Sequence, residues 1–172
     1  MNLRIVLVAT VIGFLLLGVA GPTNAQKWVK SSVKYTQGTE ALSKGDYAKA
    51  AELLEEAVKL DPTLSRNHGN YAAALFELQR YQEGWPHVRK AVLLDPANQA
   101  AQQNNRRYIK KLLGDAHLNT GATLQQVVSV LGEPDNIAER GECVWYQYGI
   151  SVLCFKHEVF SEIGDMSWRQ RR

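Results

Sequence analysis

Two cysteines, Cys143 and Cys154, four histidines, His68, His87, His117 and His157, and the carboxylates Glu52, Glu55 and Glu56 are the residues whose types can carry chemistry here. The histidines fall at helix, linker and turn positions without metal-ligand spacing, so surface or packing roles are expected and no metal is. The glutamates recur on the polar face of an amphipathic pattern, which makes them solvated surface and not a catalytic pair. No glycine-rich phosphate loop, no Gly-x-Ser-x-Gly elbow, no His-Glu-x-x-His and no Cys-x-x-Cys occurs. No catalytic residue and no cofactor is therefore assigned, and the chain is expected to be non-enzymatic. An enzyme of a type that no motif announces is the least supported alternative.

The two cysteines are expected to pair with each other. The chain opens MNLR, runs apolar from Ile5 to Ala20, and reaches small residues at Thr23 and Ala25 before Gln26. That layout predicts a secretory signal over 1–25, cut after Ala25, because the run is shorter than the roughly 20 residues that cross a bilayer; a retained anchor helix is the alternative. Export places the cysteines in an oxidising compartment, periplasmic or secreted, with no transmembrane segment after processing. The net charge of +3 is too small to favour nucleic acid as a partner.

The elements that must position any site begin with a repeat. Asp61-Pro62 and Asp95-Pro96 each follow an apolar run and lie 34 residues apart. Laying 31–64 over 65–98 sets Gly38 over Ala72, Ala41 over Leu75, Ala50 over Gly84 and Ala57 over Ala91. Small side chains are needed where helix axes pack about 8–10 Å apart. Gly45 and Asp46 end one helix and cap the next, Pro62 stops it, and Pro86 is expected within the first turn of its helix. A further helix from Asn98 to Leu113 carries Tyr108, Ile109, Leu112 and Leu113 inward and closes the array.

These residues resemble the tetratricopeptide repeat family over 31–98. The resemblance implies a groove lined by the first helix of each pair, with Tyr35, Thr39 and Leu42, then Arg66, Ala73, Phe76 and Glu77, then Gln103, Arg107 and Lys110 as partner contacts. Early positions depart from the family: Lys34 and Gln37 in one repeat, His68 and Tyr71 in the next. The family's chaperone-tail clamp is also incomplete, since only Asn70 matches it. The implied partner is a peptide or protein of the cell envelope, bound by a scaffold.

Residues 114–119 read as a linker. Thr123 and Gln126 then form a capping box on a short helix that Gly132-Glu133-Pro134 ends. Beyond Asp135 the period drops to two, predicting three antiparallel strands over 142–148, 150–155 and 159–163. A turn centred on Tyr148 and Gly149 would set Cys143 opposite Cys154. Gly121-Ala122-Thr123, Leu131-Gly132-Glu133-Pro134 and Trp145-Tyr146 resemble the SmpA/OmlA family over 120–164, a helix-plus-sheet layout also found in secreted β-lactamase inhibitors. The resemblance implies two alternatives. One is an accessory role in outer-membrane protein assembly. The other is an inhibitor presenting Trp145, Tyr146 and Tyr148. The basic stretch within 165–172 reads as a solvated tail. The fold class expected is α+β: helical hairpins over 26–113, then a small helix-plus-sheet unit.

Overall fold

The computed structural model describes residues 23–165. Most of the predicted signal and nearly all of the basic tail lie outside them. Six helices precede a four-stranded antiparallel sheet: α1 Asn24–Ser43, α2 Tyr47–Leu60, α3 Ser65–Glu77, α4 Tyr81–Leu94, α5 Gln99–Asp115, α6 Leu124–Leu131, then β1 Asn136–Arg140, β2 Cys143–Tyr148, β3 Ser151–Lys156 and β4 Val159–Asp165. The α+β class is as expected.

The helices pair as α1 with α2 and α3 with α4, and α5 closes on α4. The small residues are where the crossings need them. A Cβ on Gly38 would stand 2.6 Å from Leu54 Cγ, and one on Gly84 only 1.8 Å from Tyr108 Oη. Tyr108 is fully buried and donates its hydroxyl to Ala72 O at 2.6 Å, so the missing side chain of Gly84 makes room for a cross-helix hydrogen bond. One bond repeats with the period. Ser31 Oγ donates to Ala57 O at 3.0 Å, and Ser65 Oγ donates to Ala91 O at 2.9 Å. Asn67 donates to Ser31 Oγ and Asn98 to Ser65 Oγ, tying each hairpin to the helix that follows it.

The caps work as the sequence suggests. Asp46 accepts from Lys49 N, Asn98 accepts from Ala101 N, and Thr123 with Gln126 forms the capping box. Pro86 departs from expectation. The helix begins at Tyr81, so Pro86 lies inside it and Gln82 O loses its helical donor. Gln82 is exposed, and water can meet that carbonyl. Helix α5 also runs on through Gly114 and Asp115, into the stretch read as linker.

The sheet has order β1-β2-β3-β4, with one strand more than predicted. The additional strand, β1, reads Asn-Ile-Ala-Glu-Arg and is exposed except at Ala138, because it forms an edge that the helices do not cover. At the other edge, Gly121 N donates to Phe160 O and Phe160 N to Ala122 O, covering β4. The β2–β3 turn is Gly149-Ile150, one residue later than predicted, so Trp145 stands opposite Cys154. Cys143 is therefore diagonal to Cys154 and not opposed to it. A shift of two residues keeps both cysteines on one face. They form the disulfide, with Cα atoms 5.3 Å apart. Closing an 11-residue separation stabilises the fold by about 2–3 kcal/mol in the chain-entropy view.

One core spans helices and sheet: Trp85, Val88, Tyr108, Ile109 and Leu112 pack with Val127, Leu131, Tyr148, Leu153 and Phe155. A second core lies between α2 and α3 around Leu54, Tyr71 and Leu75. Replacing Gly84 with alanine should destabilise the protein by about 1–3 kcal/mol through overpacking against Tyr108. Gly114→Ala, with nothing within 4 Å of the added carbon, should instead be neutral or gain up to about 1 kcal/mol. Urea unfolding of the two variants separates these outcomes.

Candidate functional site

The inner helices α1, α3 and α5 carry every groove residue anticipated from the sequence, and the structure gathers the principal ones into two clusters. In the first, Arg66 of α3 lies over the ring of Tyr35 of α1 at 5.0 Å. Asn70, one turn along α3, donates to Tyr35 Oη at 3.3 Å and to Thr39 Oγ1 at 3.0 Å. In the second, Arg107 of α5 lies 4.1 Å from the Phe76 ring centroid and pairs with Glu77 at 3.0 Å. Phe76 meets the edges of Tyr81 and Tyr108 at 5.1 Å and 5.2 Å. Arg66 and Arg107 are exposed, whereas their aromatic partners are half-buried. Each cluster therefore offers a cationic group held on a flat apolar ring, with donors left for an incoming carbonyl or carboxylate.

The remaining positions contribute less. Ala73 is half-buried, Leu42 packs against the α2–α3 core, and Gln103 and Lys110 are exposed. Asn104 donates to Gly69 O at 3.4 Å across the α3–α5 contact.

The C-terminal unit docks elsewhere. Trp85 Nε1 of α4 donates to Leu131 O at 2.8 Å, at the end of α6. Arg89 pairs with Asp135 at 2.5 Å and donates to Glu133 O at 2.9 Å, with its guanidinium 5.5 Å from the Trp85 and Tyr148 ring centroids. Asp135 also accepts from Gly149 N at 2.6 Å. Among the described residues the polar and ring contacts of Tyr35, Arg66, Phe76 and Arg107 run to other helices and not to the sheet.

Of the aromatic residues suggested for a sheet-borne inhibitor surface, Tyr148 is fully buried and Tyr146 turns inward to meet Phe155 at 5.1 Å. Trp145 alone lies on the outer face, beside Val152 and Gly164. Strand alternation separates these three side chains.

Two histidines that the sequence reading treats as scattered are in contact. His68 Nδ1 and His87 Nδ1 stand 2.9 Å apart, and His68 Nε2 lies 3.0 Å from Pro62 O. A carbonyl only accepts, so His68 carries its proton on Nε2, and His87 Nδ1–H donates to bare His68 Nδ1. Their separation of 19 residues, on the two helices of one hairpin, gives no motif to notice. Burial pushes both pKa values below the usual histidine range. Lys90 adds to this at His68, and His68 itself does so at His87, where Glu83 and Glu55 oppose the shift. Tyr71 meets His87 edge-on at 4.7 Å and donates to Glu83 at 2.9 Å. Burial, reinforced by Glu83, raises the Tyr71 pKa.

Among the described residues one close group of possible metal ligands occurs, Cys143, Cys154 and Glu162. Both sulfurs are bound in the disulfide, so neither offers a thiolate.

Stacked helical hairpins, each built on one internal serine–carbonyl bond, define a repeat protein of the helix–turn–helix type. Residues 32–64 match the family model of the tetratricopeptide repeat. Among solved structures, the TPR domain of Arabidopsis OM64 is similar at 23% identity and a TM-score of 0.49, covering 60% of this chain and 78% of that one. The TPR2B domain of yeast Sti1, solved as an Hsp70 complex, is similar at 23% identity and a TM-score of 0.46, covering 59% and 79%. No curated protein sequence matches the chain.

The histidine pair makes stability depend on pH. Both folded-state pKa values lie below the unfolded value near 6.5, so the unfolded chain takes up protons first and stability is lost as pH falls below that value. The urea midpoint should drop between pH 6.5 and 5, and His87→Gln should flatten that drop.

Proposed function

We propose that this protein is an exported, non-catalytic scaffold of the cell envelope that holds an extended segment of a partner protein across α1, α3 and α5. One observation carries the reading: the C-terminal unit packs on α4 and α5, while Arg66 on Tyr35 and Arg107 on Phe76 remain turned to solvent with their rings already in place. Aromatic and arginine side chains supply most of the energy in protein interfaces, and rings fixed before binding reduce the ordering cost. Three inner helices make a short surface, suited to a brief extended peptide and not to a long one.

The envelope location rests on the signal-like N-terminal layout, on the disulfide, and on the resemblance of 120–164 to the SmpA/OmlA family. The Thr23–Gln26 capping box spans the expected cut after Ala25, so processing there would remove the cap of α1. No helix among the described residues is long and apolar enough to cross a membrane.

Photo-crosslinking residues placed at positions 66 and 103 should capture a partner in cells. Arg107→Ala and Arg66→Ala should each weaken its binding by about tenfold or more, while Gln125→Ala on α6 leaves it unchanged. Phe76→Ala should act in the same direction, with circular dichroism checking that the helices persist. Crosslinks arising from position 145 on the sheet, with 66 and 103 silent, would overturn the reading.

A further inference from the structure

The first half of α1 presents a surface that neither the hairpin packing nor the Arg66 and Arg107 clusters use. Trp28, Val29 and Val33 are 55%, 52% and 50% exposed. Spacings of three and four residues bring Val29, Ser32, Val33 and Thr36 onto neighbouring positions of the helix, with Trp28 beside Ser32. Helix α1 holds no acidic residue before Glu40, whereas it carries Lys27, Lys30 and Lys34. Lys34 is taken up by Glu56 of α2 at 2.8 Å, and the exposed Lys27 and Lys30 make no ion pair among the described residues.

We infer that Trp28, Val29 and Val33, flanked by Lys30 and with Lys27 in the first turn of the helix, form a docking surface for an anionic lipid bilayer. The argument is one of complementarity. A tryptophan and two valines insert to the depth of the headgroup–acyl boundary, where the indole keeps its polar edge in the wet layer. Lys30 beside the apolar face, and Lys27 reaching round from the first turn, meet lipid phosphates, and no carboxylate of α1 before Glu40 repels them. A second copy of the chain fits less well: a two-fold contact through this face would bring a second set of lysines to it and no carboxylate of α1 before Glu40 to meet them. The surface is distinct from the Arg66 and Arg107 clusters. The inference stands whether or not residues 1–25 are removed, since every residue it uses follows that point.

The experiment uses the full chain carrying Thr36→Cys, labelled with a polarity-sensitive fluorophore; the native cysteines are tied to each other and do not react. Vesicles of phosphatidylcholine with 30 mol% phosphatidylglycerol, a composition of about one anionic lipid in three, should shift the emission to the blue, and salt near 1 M should reverse much of it. Lys27→Gln with Lys30→Gln should weaken partitioning about 25-fold, roughly fivefold for each lysine. Val29→Ser with Val33→Ser should reduce the shift without removing its dependence on phosphatidylglycerol. Three results would overturn the inference. One is no blue shift with anionic vesicles. Another is an equal shift with pure phosphatidylcholine that the lysine variant leaves intact, which would assign binding to the apolar run Ile5–Ala20. The last is a shift that follows protein concentration in the absence of vesicles, which would assign the face to self-association.

Discussion

The end of α6 is held by the side of α4, and the arrangement of the whole molecule follows from that contact. A helix C-terminus leaves carbonyls without intrahelical donors. Here Leu131 O receives Trp85 Nε1, Glu133 O receives Arg89, and Gly132 O receives Tyr148 Oη at 3.1 Å. Arg89 is in turn fixed by Asp135, with both side chains largely shielded, at 18% and 16% exposure. Removing one partner of such a shielded pair costs more than the pair gains over water, because the other is left with its charge poorly solvated. The contact thus sets the sheet against the end of the helical array. The apolar side of α5, which a further hairpin would cover in a longer array, is covered by α6 and β3 instead.

Repeat geometry was legible because it depends on residues that cannot be exchanged freely. Gly38, Ala50, Gly84 and Ala57 mark close approaches, and a close approach tolerates few side chains. The sheet was less legible for the opposite reason. Strand β1 lacks an apolar alternation because its faces meet mostly solvent, so Asn136–Arg140 carries no period to read. The turn at Gly149-Ile150 was missed by one residue because Ile150, apolar and buried, reads as strand while serving in a turn wedged against Ala91, Val92 and Ala101. The His68–His87 contact is formed between two helices of one hairpin, a relation that no spacing rule along a single element describes.

On α1, α3 and α5 the sequence named single residues, whereas the molecule organises couples. Arg66 was read as one contact and Tyr35 as another. The structure makes them a stacked unit steadied by Asn70, a residue noted only as the surviving member of a clamp. Arg107 and Phe76 are likewise joined. Cationic side chains held on rings keep less rotational freedom than free ones, so each couple presents its guanidinium in a fixed place.

Gly149 shows how little slack the junction has. Its backbone is left-handed, with φ +65°, and a carbon added there would lie 2.5 Å from Asn105 and 2.6 Å from Val92. Asn105 is itself sealed and accepts from Ser151 on the next strand. Evolution or engineering can therefore lengthen the sheet at one end only. Extra residues at Gly141-Glu142 would extend into open space, whereas the same insertion at Gly149-Ile150 would lever the sheet off the helices as a single plate.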